Sequence, residues 1–173
     1  MNRKLPTSAC LREWFDYDQG TGVFTWKKVH YTNVALMGKA AGTTNKHGYV
    51  LVGVPGFWQI QAHRLAWIFV HGLTIGGSEI DHIDGNPSNN AINNLRLATS
   101  SQQKQNKRVQ SNNRSGLKGA FYTHANRSGK RWTSRIKVAG KVISLGYFHT
   151  AQEAHEAYGQ AATKYFGEFA RAA

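Results

Sequence analysis

The sequence predicts an α+β fold in two parts. N-terminal β-hairpins lead into a strand–turn–strand–helix core, and a three-stranded antiparallel sheet packed on one helix follows. Three observations carry this expectation. Short runs of alternating apolar and polar residues are separated by turn dipeptides (Pro55-Gly56, Asp84-Gly85, Ala139-Gly140), as in hairpins. Two segments, 62–71 and 150–166, keep apolar residues at helical spacing. Residues 109–117 have linker composition, which sets the expected domains at 1–108 and 118–173.

In chain order, residues 11–17 (Leu-Arg-Glu-Trp-Phe-Asp-Tyr) read as the end of a short amphipathic helix. Asp18-Gln-Gly-Thr-Gly is a turn, and Val23-Phe-Thr-Trp-Lys alternates as a strand. A Gly/Thr/Asn-rich stretch, 38–48, leads to a strand at 49–54, and Pro55-Gly56 turns the chain into Phe57-Trp-Gln-Ile-Gln as a second hairpin. Ala62–His71 reads as a buried helix through Leu65, Ala66, Phe69 and Val70, with His63 and Arg64 at its start. From Glu79 the expected order is strand, Asp84-Gly85-Asn86 turn, polar loop, strand 95–98 and a helix from Thr99, opened by the capping box Thr99-Ser-Ser-Gln102. Trp14, Trp26, Trp58 and Trp67 are assigned to the core of the N-terminal hairpins.

The last third holds three short strands (119–124, 132–138, 141–145) and a helix opened by the capping box Thr150-Ala-Gln-Glu153 and stopped at Gly167. Ala154, Ala157, Tyr158, Ala161, Ala162 and Tyr165 form its apolar stripe. The tight turn Ala139-Gly140 sets Arg135 opposite Ser144, Ile136 opposite Ile143, Lys137 opposite Val142 and Ser134 opposite Leu145. Because side chains alternate between faces, Ile136, Ile143 and Leu145 look toward the helix, while Thr133, Arg135, Lys137 and Ser144 look away. A sheet with one oily and one basic face suits a DNA groove.

Charge is unevenly distributed. Residues 1–99 carry 9 basic and 6 acidic side chains, residues 100–173 carry 13 and 3, and no acid stands between Asp84 and Glu153. Such a stretch binds a polyanion with strong salt dependence, so nucleic acid is the expected partner. The single cysteine, Cys10, excludes an internal disulfide and any zinc knuckle built on cysteine pairs, so no structural zinc is expected. The N-terminus lacks a signal-peptide core, and the longest apolar run, 65–70, is too short to span a bilayer. A cytoplasmic protein without membrane contacts is expected.

Residues 79–106 are the most informative block. An acid stands beside a histidine (Asp81, His82), followed by a polar loop, an asparagine-rich turn (Asn93, Asn94) and a capped helix. An Asp-His pair at a strand end can hold a divalent metal with the carboxylate and activate a water with the imidazole. The arrangement resembles the active site of HNH nucleases, a ββα-metal core that hydrolyses phosphodiesters. It is most similar to their phage homing-endonuclease branch, where Asp-His is followed by Asn-Leu-Arg and a metal-facing helix.

The resemblance implies His82 as general base, because a neutral imidazole can take a proton from water at physiological pH. It implies Asp81 as a hard oxygen ligand for Mg²⁺, with Mn²⁺ able to substitute, and Asn94 as the residue that braces the loop and orients the histidine. Arg96 is a candidate to steady the phosphate, an ordinary strand-surface arginine being the other reading. Where that branch commonly places a metal-binding asparagine on the helix, this chain has Gln103, with Asn106 one turn later as the alternative. Asp84 is read as closing its own turn, and His63 as a structural, hydrogen-bonding histidine outside the site.

A second resemblance lies in residues 116–170. Gly119-Ala-Phe-Tyr, Trp132 to Ile136, Leu145-Gly-Tyr-Phe and the alanine-rich helix from Thr150 look like the plant ethylene-response-factor (APETALA-type) DNA-binding domain, which also occurs at the C-terminus of phage HNH endonucleases. In that family the sheet enters the major groove. The matching positions are Arg135, Lys137 and Ser144, with Lys118, Phe121, Thr123 and Arg131 nearby. Ser144 stands where the plant family places a tryptophan, so its base preference does not transfer.

Together these readings predict a Mg²⁺-dependent HNH endonuclease that binds double-stranded DNA and nicks or cleaves it, acting as a monomer without a small-molecule cofactor. Lys27, Lys28 and Lys46 are candidate further contacts in the N-terminal region. One rival is a DNA-binding protein with a degenerate nuclease centre, motivated by Gln103. Another is a basic RNA-binding or packaging protein in which Asp81-His82 is only a turn.

Overall fold

The computed structural model describes residues 4–72, 78–105, 113, 115–124 and 129–170. The chain divides into two compact units, Met1–Thr99 and Ser100–Ala173. The helix expected to complete the core of the first domain is thus counted with the second unit. Most of the expected linker (109–112 and 114) lies outside the described residues, as does Asn106.

In the first unit α1 (Ser8–Trp14) is capped by Thr7, whose hydroxyl accepts the Cys10 N–H at 3.2 Å. The sequence expectation that residues 15–17 continue a helix is corrected here. Phe15–Tyr17 is β1, paired antiparallel with β2 (Phe24–Trp26). Aromatic cross-strand pairing explains the switch: Phe15 lies opposite Trp26 and Tyr17 opposite Phe24, each pair with ring centroids 4.6 Å apart. Such pairs favour a pleated surface over a helix. The Asp18 turn forms as expected, its carboxylate accepting the N–H groups of Gly20 and Thr21.

A 3₁₀ segment (Tyr31–Leu36) that the sequence did not suggest precedes a three-stranded sheet of β3 (Thr43–Thr44), β4 (Val50–Gly53) and β5 (Gln59–Gln61). Helix α2 spans Ala62–His71 and buries Leu65, Ala66, Ile68 and Phe69. These residues pack with Leu11, Phe15, Phe24, Val52 and Ile60 in one core, and Trp14, Trp26, Trp58 and Trp67 line its edge. The hairpin of β6 (Glu79–His82) and β7 (Leu95–Ala98) joins that core through Ile80 and Leu95.

The second unit begins with α3 (Ser100–Gln105), followed by β8 (Ala120–Tyr122), β9 (Trp132–Val138) and β10 (Lys141–Phe148) in a sheet with β9 at its centre. Helix α4 (Ala151–Phe166) packs across the sheet, as expected. Ala154 is buried, and Ala161 and Ala162 are buried beside Ile136, but Tyr165 is not part of the stripe; it is 42% exposed, and Phe166 packs on the core instead. Small residues let the helix lie close to the sheet. The Thr150 hydroxyl accepts the Glu153 N–H, while the Glu153 carboxylate reaches the N–H of His149 rather than that of the cap itself.

The predicted β9–β10 register holds for Arg135/Ser144, Ile136/Ile143 and Lys137/Val142. The pair Ser134/Leu145 does not form. The register shifts between Ser144 and Gly146, so Ser134 lies opposite Gly146 and Leu145 bulges out of the ladder toward α4. Gly146 sits at φ +122°, a region that favours glycine and suits a bulge. No described helix is long and apolar enough to cross a membrane.

Candidate active site

Strand parity decides which way each residue of the β6–β7 hairpin points. Ile80 and His82 share one face of β6, and Leu95 lies opposite His82, so the face that feeds the core also carries the imidazole. His82 is consequently only 6% exposed. Its ring meets that of His63, from α2, edge-on at 4.9 Å, and Tyr49 lies at 6.2 Å. Burial pushes the His82 pKa below the usual histidine value, opposed by its hydrogen bond to Asn90 and by the charges of Asp84 and Asp81. The imidazole is therefore neutral near pH 7, the state a general base needs.

Asn90 holds this imidazole. It is 2% exposed, its Nδ2 donates to the Ser88 carbonyl at 3.1 Å, and its Oδ1 lies 3.3 Å from His82 Nε2. The Ser88 contact fixes which end of the amide faces the ring. An oxygen there requires the proton on Nε2, which puts the lone pair of the neutral ring on Nδ1. Asn90 is itself fixed by the N-terminal hairpin. The Tyr17 hydroxyl donates to its carbonyl at 2.7 Å, and the Ile92 N–H donates to Gln19 at 3.0 Å. Burial, with help from Asp18, pushes the Tyr17 phenol up to about 12, so it stays a donor. Gly22 lies so close that a Cβ there would stand 2.2 Å from the Ala91 nitrogen, at a φ of +75°. Sequence reasoning missed Asn90; the Asn89-Asn90 doublet in a polar loop was the signal available.

Asn94, expected to brace the loop and orient the histidine, is hydrogen-bonded within the loop. Its Oδ1 accepts the Asp84 N–H, its Nδ2 donates to Asp84 Oδ1 and to the Asn89 carbonyl, and its own carbonyl accepts the Ile83 N–H. It acts on the loop, while Asn90 is a residue that meets the His82 ring. Asp84 also accepts from Asn86 and Asn89, and these hydrogen bonds hold its carboxyl below the ordinary value against the opposing effect of burial. It closes its turn, as read from the sequence.

Asp81 faces away from His82 and is paired with Arg96 across the hairpin. Arg96 Nε and Nη2 donate to Asp81 Oδ2 at 3.1 and 3.0 Å, and both side chains are largely buried. The two residues assigned separately to metal and phosphate thus neutralise each other here. His63 is also nearer the centre than expected. Its Nδ1 is buried with no hydrogen-bond partner among the described residues, and burial, with the neighbouring His82 and Arg64, pushes its pKa down to about 3. Gln103 lies on α3, in the second unit. Among the described residues no cluster of three or more histidine, cysteine or acidic side chains stands ready for a metal.

In the second unit Phe121, Arg135, Lys137 and Ser144 share the outer, solvent-facing side of the sheet, with the Arg135 guanidinium 4.9 Å above the Phe121 ring. Thr123 and Arg131 extend the β8–β9 ladder through a 2.8 Å backbone hydrogen bond. Lys118 is not on that face; its ammonium lies 6.0 Å from the ring of Tyr158 on α4. In the first unit, Lys27 and Lys28 are paired with Asp16 and Glu13.

Comparison with known proteins gives this hairpin a class. Residues 61–105, from the last residue of β5 to the end of α3, match the family model of an HNH endonuclease. Over 79 residues the chain is 37% identical to Protein 3.8 of Escherichia phage T7, covering 46% of this chain and 63% of that protein. Over 158 residues it is 29% identical to an uncharacterised HNH endonuclease of Acanthamoeba polyphaga mimivirus, covering 87% of this chain and 76% of that one. Among solved structures it is similar to the HNH homing endonuclease I-HmuI, described for DNA binding and cleavage, with a TM-score of 0.41 and 28% identity over 54% of this chain and 51% of that one. The chain thus spans less than two thirds of the phage T7 protein and about half of I-HmuI.

Proposed function

We propose that this protein is a metal-dependent endonuclease that hydrolyses one strand of duplex DNA per event, with His82 as general base. The observation that carries the reading is the buried, neutral His82, held by Asn90 in a single tautomer within a hairpin of HNH class. His82 Nδ1 takes a proton from a water as the water oxygen attacks phosphorus. The P–O bond to the 3′ oxygen breaks, and the departing 3′ oxygen takes a proton from solvent water, leaving a 5′ phosphate and a 3′ hydroxyl. Asn94 and Asp84 keep the loop in shape, and the Tyr17 hairpin keeps Asn90 in place.

The donor set fits Mg²⁺, which commonly binds through one or two carboxylates together with substrate phosphate oxygens and water. Asp81 would be the carboxylate; by sequence position the family's carbonyl donor falls at Gln103, or Asn106, and Mn²⁺ would serve in place of Mg²⁺. When bound, the ion supplies charge neutralisation at the scissile phosphate and the leaving oxygen. Arg96 offsets the Asp81 charge otherwise, and in this reading it turns to the phosphate when the carboxylate is engaged.

The second unit is proposed as an APETALA-like DNA-binding module that uses the outer face of its sheet, with Arg135, Lys137, Ser144, Phe121, Thr123 and Arg131 as contacts. The alternative, a DNA-binding protein with an inactive centre, is favoured by Gln103 alone. Supercoiled plasmid incubated with Mg²⁺, with Mn²⁺ or with chelator separates them. Open circles in metal alone support the nuclease. Intact plasmid that is shifted on a gel in all three supports the inactive form, and Gln103→Asn is the variant that would restore cutting.

A further inference from the structure

We propose that Tyr147 is a DNA-contacting residue: the bulge at Leu145 turns its ring onto the basic face of the sheet, where it makes an apolar contact with duplex DNA beside Arg135 and Lys137. The inference rests on the DNA-binding reading of the second unit and adds to it a residue and a kind of contact.

The register carries the argument. Counting from Ser144 opposite Arg135, an unbroken ladder would set Tyr147 opposite Trp132, on the helix side, with Phe148 outside. The shift after Ser144 reverses this parity, so Tyr147 lies opposite Thr133 and Phe148 opposite Trp132. Tyr147 is then 50% exposed while Phe148 is half-buried. A bulge gives up ladder pairing and commonly serves to re-aim a side chain. Here it places a large aromatic in water on a face where a purely solvated sheet would carry polar groups.

The outer face is not merely hydrophilic. Phe121 is 41% and Val142 63% exposed, interleaved with Arg135, Lys137 and Ser144. Arg135 is preordered over the Phe121 ring. The strands hold no acid, since the three acids of this unit (Glu153, Glu156, Glu168) lie on α4 or the turn after it. A cationic face with aromatic and aliphatic side chains between the charges matches a polyanion whose grooves also present thymine methyls and sugar carbons. Charge complementarity therefore selects duplex DNA as the occupant.

Salt dependence separates an apolar contact from a phosphate contact. Each cation that neutralises a phosphate steepens the fall of log affinity with log salt by about one unit, whereas an apolar contact leaves the slope unchanged. The test measures binding of the full chain to a fluorescent mixed-sequence duplex between about 50 and 200 mM salt in chelator, so that no cutting intervenes. Lys137→Ala is expected to weaken binding and lower the slope by about one. Tyr147→Ser is expected to weaken binding about ten-fold at every salt concentration without changing the slope, as the loss of a buried aromatic contact implies. Tyr147→Phe is expected to bind like wild type.

If Tyr147→Ser stays within two-fold of wild type while Lys137→Ala behaves as expected, the inference fails and the DNA-binding face survives. If Lys137→Ala and Arg135→Ala also bind like wild type, both fall. A slope change in Tyr147→Ser, or tighter binding of the corresponding single strand than of the duplex, overturns the contact as stated.

Discussion

Removing the Asn90 side chain tests how the catalytic histidine is held. Asn90→Ala deletes two hydrogen bonds at a residue that is 2% exposed, one to His82 Nε2 and one to the Ser88 carbonyl. Each group left without a partner in a buried site costs about 1–3 kcal/mol, and the 3.3 Å contact to His82 belongs at the low end, so a loss of about 2–4 kcal/mol is expected. A domain with ordinary stability of roughly 5–15 kcal/mol survives that. Urea unfolding followed by tryptophan fluorescence reads it directly, because Trp14, Trp26, Trp58 and Trp67 all line this unit's core. With the ring no longer held, single-turnover nicking is expected to fall about 10- to 100-fold while DNA affinity stays unchanged. Asn90→Asp adds a signed control. The Asn90 contact raises the His82 pKa, so its loss moves the acid limb of the rate profile to lower pH. A carboxylate in its place stabilises the imidazolium and moves that limb to higher pH. A loss below about 0.5 kcal/mol with unchanged nicking would refute the positioning role.

Three further outcomes concern His63, Arg96 and Gly22. Burial pushes the His63 pKa from the ordinary histidine value of 6.5 down to about 3 when folded, so the unfolded chain binds the extra proton between those values. Its stability contribution is complete above 6.5 and declines by about 1.4 kcal/mol per pH unit as pH falls toward 3. Unfolding of His63→Phe should be correspondingly less acid-sensitive than wild type, and parallel curves would contradict this. Arg96→Leu leaves the largely buried Asp81 without its ion-pair partner and should cost about 3–5 kcal/mol. If Asp81 is the metal ligand, millimolar Mg²⁺ should raise the melting temperature of that variant more than that of wild type; equal shifts would remove Asp81 from the metal site. Gly22→Ala forces a Cβ to 2.2 Å from the Ala91 nitrogen, so nicking should collapse although residue 22 touches no proposed catalytic atom; full activity would detach the N-terminal hairpin from the site.

Much of this was legible from the residues because local rules governed it. The alternation along 79–82 placed Asp81 and His82 on opposite faces, whereas Asn94 was singled out by the resemblance to HNH nucleases through its Asn-Leu-Arg run. Helix α2 had its bounds written in its apolar spacing. What escaped depended on partners distant in sequence. Nothing near Asn90 reveals that Tyr17 and Gly22, about 70 residues earlier, bury it against His82. The end of α1 was set by aromatic pairing across a hairpin, which overrode helical spacing at Phe15. The Leu145 bulge left no trace in the pattern, because a Leu-Gly-Tyr-Phe run suits either parity until the ladder forms. The Asp81–Arg96 pair follows from hairpin geometry, because directly opposite positions of antiparallel strands bring opposite charges together.

The central claim is that His82 takes the proton from the attacking water. Conversion of supercoiled plasmid to open circle in Mg²⁺ by wild type and His82→Ala, at protein concentrations that saturate the DNA for both, tests it most directly. Open circles are expected with wild type, and a fall of about 100-fold or more in the variant at equal DNA occupancy. Equal rates for the two proteins would contradict it.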